Sequence, residues 1–275
     1  MGVKGISTTM YQWDMEYRSR SIDFRDNLEM VFREMAVCGL DGVQSRMAYA
    51  DTAENAEKLA DLCNRSGLRL SSLYGDCMLY DKNLLEREAD AFVQRAEIAS
   101  LSGSRLIAVN MAAPKGRDKT EDEVKTQAEG LNKIGRRLNA SGIRIALHNH
   151  TPEMKNDAKE LKYLMANLAE DNIGICLDIS WADMAGVSYT DLIDQYHERL
   201  FEIHVRNNID REQGFSQSVD EGIISYPAIH QQLGKLNYDG WYIVELAYMG
   251  GMKLTRSFKE NMVRSIWYMK GIISH

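Results

Sequence analysis

Two histidines stand one residue apart in Ile143-Arg-Ile-Ala-Leu-His148-Asn-His150-Thr-Pro-Glu153, at the end of an alternating apolar run. Ile143, Ile145 and Leu147 recur with period two, which predicts a strand with Ala146, His148 and His150 on its opposite face. If the strand stays extended to its tip, two imidazoles share one end. Pro152 then stops the ladder and Glu153 follows in a loop. A neutral imidazole binds metals, and its proton exchanges near neutral pH. The arrangement therefore points to a metal ligand, a general base, or both. The plain alternative is a pair of hydrogen-bonded structural histidines.

The elements that must position these residues follow a repeating pattern. Helix-like stretches end at Gly39, Gly67, Gly103 and Gly142, and each glycine is followed by a short apolar strand candidate. Glycine just past a helix supplies the left-handed residue that closes it, and a spacing of about 30 to 40 residues is that of a βα unit. The strands expected are 5–10, 42–46, 68–74, 106–110, the histidine strand, 173–178, 200–206 and 240–245. Helices are expected over 25–38, 52–65, 84–101, 157–168, 188–198 and 227–236. Another opens at the capping box Thr120-Glu-Asp-Glu123, and the last carries Leu254, Phe258, Met262, Ile266 and Met269 on one stripe. Eight alternating units in 275 residues predict a single-domain (β/α)8 TIM barrel over 1–275, with its site at the C-terminal strand ends. An open doubly wound sheet would call for a glycine-rich phosphate turn, and none of the usual patterns occurs.

In such a barrel the polar strand ends converge. Strand five delivers His148 and His150, strand six Asp178, strand seven His204 and Arg206, and strand eight Glu245. A divalent cation would relieve the repulsion between the two carboxylates and suits a mixed nitrogen and oxygen set. Mn²⁺ fits best; Zn²⁺, Co²⁺, Fe²⁺ and Mg²⁺ are alternatives. Trp181 is either a cap on the barrel mouth or a platform for a sugar face. Arg206 suits a carboxylate, phosphate or enolate oxygen, or an ion pair with a neighbouring acid. Gln44, at the end of strand two, can bond a hydroxyl. Glu202 shares the His204 face but lies deeper, where an ion pair with Arg144 is expected. His197, His230 and His275 are read as surface residues.

Composition narrows the class. Hydrophobic residues make up 44% and charged residues 27%, ordinary values for a soluble globular chain. The net charge of −7 argues against a nucleic-acid partner. No apolar run approaches the roughly 18 residues of a membrane span, and the N-terminus lacks a signal-peptide core. The four cysteines form no CxxC and are expected as free thiols in a reducing cytoplasm.

The chain resembles the sugar phosphate isomerase/epimerase branch of the xylose isomerase-like barrel superfamily. The motifs that carry the resemblance are Leu-His148-Asn-His150, Leu177-Asp178-Ile-Ser-Trp181-Ala, Ile203-His204-Val-Arg206-Asn, Asp220-Glu-Gly222-Ile-Ile and Ile243-Val-Glu245-Leu. It implies a one-metal site on His148, Asp178, His204 and Glu245, a carbohydrate substrate, and a homo-oligomer. Many members carry Glu at His148 and His at Trp181, so this chain departs from the paired-glutamate arrangement of the 3-epimerases. Proton transfer then falls to His150, Glu153 or Glu245. The implied activity is sugar or keto-sugar isomerisation or epimerisation by proton abstraction beside a metal-polarised carbonyl. A lyase acting on a keto-sugar, inosose or keto-glycoside would use the same residues. A metal-free sugar-binding barrel is the non-enzyme alternative.

Overall fold

A computed structural model describes residues 2–169, 172–248 and 252–274. Eight parallel strands close a barrel: β1 (Gly5–Thr9), β2 (Gly42–Arg46), β3 (Arg69–Cys77), β4 (Leu106–Met111), β5 (Arg144–His148), β6 (Ile173–Asp178), β7 (Leu200–Val205) and β10 (Trp241–Val244). Between β7 and β10, the strands β8 (Asn208–Asp210) and β9 (Gly214–Phe215) pair as a small antiparallel hairpin. The helices are α1 (Met10–Ser19), α2 (Leu28–Val37), α3 (Ala53–Ser66), α4 (Leu85–Ser100), α5 (Glu121–Asn139), α6 (Thr151–Asn167), α7 (Ile179–Met184), α8 (Tyr189–Tyr196), α9 (Tyr226–Lys235) and α10 (Phe258–Ile273). No helix among the described residues is long and apolar enough to cross a membrane.

Period-two alternation sorts the apolar residues into two separate clusters. Ile107, Val109, Ile145, Leu147, Ile175, Leu177, Ile203 and Val205 face outward and join the helices in the main core. Leu106, Ala108, Ala146 and Cys176 form a small inner cluster, packed by Tyr74 and Phe201. The inner residues fill the barrel's lower interior, and the polar tips above them open to its C-terminal mouth. The anticipated helix-to-strand turns are present. Gly67 closes α3 at φ +69°, and Gly39, Gly103 and Gly142 take the same left-handed region.

The structure departs from the sequence expectation in five places. First, α1 follows β1 directly. It buries Gln12 and Asp14 beside Met10, Trp13 and Tyr17, and this polar content breaks its apolar stripe. Second, α7 has six residues, too few to display a period. Third, β5 ends at His148; His150 is extended and N-caps α6, with Pro152 in the first turn, so Glu153 lies in a helical turn and not in a loop. Fourth, α6 is interrupted. Lys155 is extended, and Asn156, Asp157 and Ala158 are left-handed at φ +52°, +58° and +57°, so the helix read from 157 onward resumes at Lys159. Fifth, the last helix starts at Phe258, beyond Leu254.

The β6–β7 pairing skips Phe201: Ile175 faces Leu200 and Cys176 faces Glu202. This bulge drives the Phe201 ring against Gly174. A Cβ at Gly174 would lie 2.2 Å from the Arg199 carbonyl oxygen and 2.7 Å from the Phe201 ring. The carbonyl belongs to the strand backbone and cannot give way cheaply. Gly174→Ala is therefore expected to destabilise the fold by roughly 2–4 kcal/mol, read from the midpoint of urea unfolding.

Candidate active site

Four neighbouring strand tips deliver the residues singled out in the sequence. His148 ends β5, Asp178 ends β6, His204 lies in β7, and Glu245 follows β10. Ligand-capable atoms of these four all lie within 4.8 Å of one another. The tips are held by side chains that continue the ladder where the backbone stops. Asn149, fully buried between the two histidines, donates to the Asp178 carbonyl at 3.0 Å and accepts from the Asp178 N–H at 2.8 Å. Gln12 does the same at the closure of the barrel, donating to the Val244 carbonyl at 3.0 Å and accepting from the Leu246 N–H at 2.6 Å.

Each ionisable group has a defined partner. The Glu245 carboxylate accepts from Nδ1 of His204 at 2.8 Å, and its other oxygen pairs with the Arg206 guanidinium. Arg206 also donates from Nε to the Glu245 carbonyl at 3.2 Å. Burial pushes the Glu245 carboxyl up, but Arg206 and His204 outweigh burial and hold it well below the usual carboxylate range. Asp178 is shifted the other way: burial raises it, against the opposing pull of Arg206. His148 is held neutral by burial and by His204 beside it. Its Nδ1 meets Cys176 Sγ at 3.7 Å, and its ring lies 4.4 Å from that of His204, centroid to centroid.

Among the described residues, the buried Oδ2 of Asp178, Nε2 of His204 and Nη1 of Arg206 have no hydrogen-bond partner. Leaving such atoms unsatisfied costs about 1–3 kcal/mol each, so they call for an explanation. With Nδ1 of His204 donating to Glu245, its Nε2 carries a lone pair. That lone pair, the spare oxygen of Asp178 and the mixed nitrogen and oxygen surroundings fit a divalent cation. The Glu245 hydrogen bond orients a ligating imidazole in the way such sites require.

Of these residues His148, Arg206 and Glu245 line a cleft of about 240 Å³, and Asp178 and His204 are fully buried beside them. His150 enters the cleft from the β5–α6 turn with its ring 4.6 Å from that of His148, and burial lowers its pKa. Trp181 lies on the wall, 5.9 Å from His150, and packs edge-on against Phe215 of the β8–β9 hairpin at 5.0 Å. Gln44 reaches the cleft; its Nε2 donates to Ser72 at 3.0 Å and to Glu202 at 3.1 Å, and its Oε1 has no hydrogen-bond partner among the described residues. The opposite wall carries residues that sequence reading did not single out, Arg46, Asp76 and Asn110. Asn110 donates to Asp76 at 2.8 Å, and Arg46 lies 3.9 Å from the same carboxylate. Asp76 was missed because β3 runs three residues past its apolar stretch.

Other expectations resolve differently. Glu153 is not in the cleft. It stands behind His150, accepts that residue's backbone N–H at 2.8 Å, and faces the buried ammonium of Lys119 at 3.9 Å. Glu202 is fully buried on the β7 interior and pairs with Gln44, whereas Arg144 stacks on the Phe201 ring at 4.4 Å, so the expected ion pair does not form. His197 is exposed, but His230 is half-buried and bonded to the Tyr242 hydroxyl at 2.9 Å. His275 lies outside the described residues.

Comparison with known proteins agrees with the fold. Residues 32–265 match the family model described as xylose isomerase-like TIM barrel. An inosose dehydratase of Clostridium beijerinckii is 25% identical over 248 residues, covering 80% of this chain and 82% of the relative. Among solved structures, an L-ribulose 3-epimerase superposes with a TM-score of 0.80 at 16% identity, covering 100% of this chain and 95% of the other. A sugar phosphate isomerase/epimerase of Parabacteroides distasonis gives 0.77 at 18% identity, covering 99% and 96%.

Burial raises the Glu153 carboxyl to about 7, against the pull of Lys119. In the unfolded chain it titrates near 4.5. The folded state therefore holds the extra proton between these values, and stability from this group falls as pH rises through that window. Glu153→Gln keeps an acceptor for the His150 N–H and removes the titration. Relative to wild type, the variant is expected to gain roughly 2 kcal/mol between pH 5 and pH 8, measured by urea unfolding at both values.

Proposed function

The chain belongs to the xylose isomerase-like TIM barrel family, and from that footing we propose that it is a divalent-metal-dependent enzyme that removes a proton beside the carbonyl of a sugar, keto-sugar or cyclic polyol ketone. Four ligand-capable atoms within 4.8 Å, two of their residues holding a buried atom without a partner, carry this reading. A cation held by His148, Asp178, His204 and Glu245 would supply Lewis acidity at a carbonyl and its neighbouring hydroxyl; Mn²⁺ suits the donor set best.

The chain's own groups do the rest. His150 lines the cleft, and burial lowers its pKa so that its imidazole is neutral, so it is the base we assign. Glu245, engaged by Arg206 and His204, is assigned to holding the metal and not to proton transfer. Nη1 of Arg206 is unpaired and suits the developing enediolate oxygen. Trp181 and Phe215 exclude water from one side. Arg46, Asp76 and Asn110 supply polar partners for the hydroxyls at the far end of the substrate. Glu153 acts through the His150 backbone.

Returning the proton at a neighbouring position gives an isomerase or epimerase. Expelling a β-hydroxyl or other β-substituent gives a lyase. The lyase reading has specific support in the dehydratase relatives. Four cysteines, all free and buried, accord with a cytoplasmic setting.

The test is proton NMR in D₂O with metal-free and Mn²⁺-loaded protein against ketoses, 3-keto-glucosides and inososes, with Mn²⁺ removed before spectra are taken. Metal-dependent deuterium uptake with all oxygens retained identifies an isomerase or epimerase, and loss of water or an aglycone identifies a lyase. His150→Ala is expected to lower the rate about 10²- to 10⁴-fold while retaining Mn²⁺ binding; His204→Ala is expected to lose the metal. Absence of both exchange and elimination across the panel would leave a binding protein.

A further inference from the structure

Beneath the four-residue set lies a second one that shares two of its members. Cys176 is one interior level below Asp178 on β6, and its register partners are His148 on β5 and Glu202 on β7. Its Sγ is 3.7 Å from Nδ1 of His148. The sulfur and one ring nitrogen from each of His148 and His204 lie within 4.8 Å of one another. All three residues are buried, none more than 2% exposed. Nε2 of His204 has no partner, and Glu202, whose carboxylate meets the Cys176 thiol, keeps Oε1 without one.

These spacings suit a tetrahedral thiophilic ion. Zinc–sulfur bonds of about 2.3 Å and zinc–nitrogen bonds of about 2.0–2.1 Å, at the tetrahedral angle, set sulfur and nitrogen about 3.6 Å apart. A hydrogen bond between thiol and imidazole would explain the Cys176–His148 contact alone. It does not explain why a His204 nitrogen also lies within 4.8 Å of both the sulfur and the His148 nitrogen. We propose that Cys176, His148 and His204 form a second, softer metal site that takes thiophilic divalent ions such as Zn²⁺ and Cd²⁺. Coordination replaces the thiol proton, M²⁺ + R–SH giving (M–SR)⁺ and H⁺, and the Glu202 carboxylate, across the register from Cys176, is placed to receive that proton. Because the two sets share both imidazoles, occupancy of one excludes the other. Hard ions take the carboxylate-rich upper set, and a thiophilic ion draws the imidazoles down to the sulfur. The site is thus a built-in point of soft-metal antagonism, and its existence does not depend on which reaction the upper site performs.

The experiment is a Cd²⁺ titration of the metal-free full-length protein, followed by the ultraviolet sulfur-to-cadmium charge-transfer band. The band is expected to grow to one equivalent, and Mn²⁺ is expected to shift the titration to higher Cd²⁺. Cys176→Ser is expected to lose the band and at least about tenfold in Cd²⁺ affinity, while Mn²⁺ binding followed by electron paramagnetic resonance persists. Wild-type protein that gives no band, a band that survives in Cys176→Ser, or full simultaneous occupancy by Cd²⁺ and Mn²⁺ would each overturn the assignment. If the serine variant does not fold, Cys176→Ala and the wild-type competition decide the same question.

Discussion

The ion pair between Arg206 and Glu245 holds the candidate site in shape. Arg206 is 2% exposed, and burying either charge without the other would cost several kcal/mol. The pair forms because two strand tips meet. Arg206 follows β7, Glu245 follows β10, and the guanidinium also bonds the Glu245 backbone carbonyl. The Tyr226 hydroxyl bridges the backbone N–H and carbonyl of Arg206, which ties the pair to the start of α9. Glu245 then accepts from His204 and fixes which imidazole nitrogen faces its neighbours. One electrostatic contact therefore orients a carboxylate, a guanidinium and an imidazole together.

The barrel keeps its architecture and its chemistry on opposite faces of the same strands. The outward cluster, with Ile145, Leu147, Ile175 and Leu177, is what the helices pack on. The inward cluster is small, built largely from Ala108, Ala146 and Cys176, and leaves room above it for polar tips. Changing the tips leaves the outward packing untouched. This is the physical reason one fold can host dehydratases and epimerases, the names its relatives and structural neighbours carry.

The strands and their tips were legible in the sequence because alternation is local. Three residues such as Ile143, Ile145 and Leu147 suffice to say which way His148 points. The βα count was legible for a similar reason, since four helix-to-strand turns carry a glycine, Gly39, Gly67, Gly103 and Gly142, whose left-handed backbone the structure bears out. What was not legible depends on partners distant in the chain. Asn149 reads as a spacer between histidines, yet it joins β5 to β6 through residues 29 positions away. Asp76 and Asn110 become a wall only when β3 and β4 pair. The end of β5 was misplaced because His150 remains extended while it caps a helix. Asn156 and Asp157 are types that tolerate the left-handed region, but Ala158, the third left-handed residue in succession, has no local signature.

The Arg206 guanidinium is flat, and the ring of Phe215 lies 4.1 Å from its central carbon. A planar ion with an aromatic ring against its face offers hydrogen bonds in its own plane only. Two of its edges are occupied by Glu245, and Nη1 is left. The charge is therefore directional. An oxygen arriving edge-on meets a donor, and an oxygen arriving over the covered face meets the ring of Phe215. Because Phe215 belongs to the β8–β9 hairpin and not to the barrel, that angular filter is carried outside the barrel sheet, and a change in the hairpin can retune which ligand shapes are admitted without moving a strand tip.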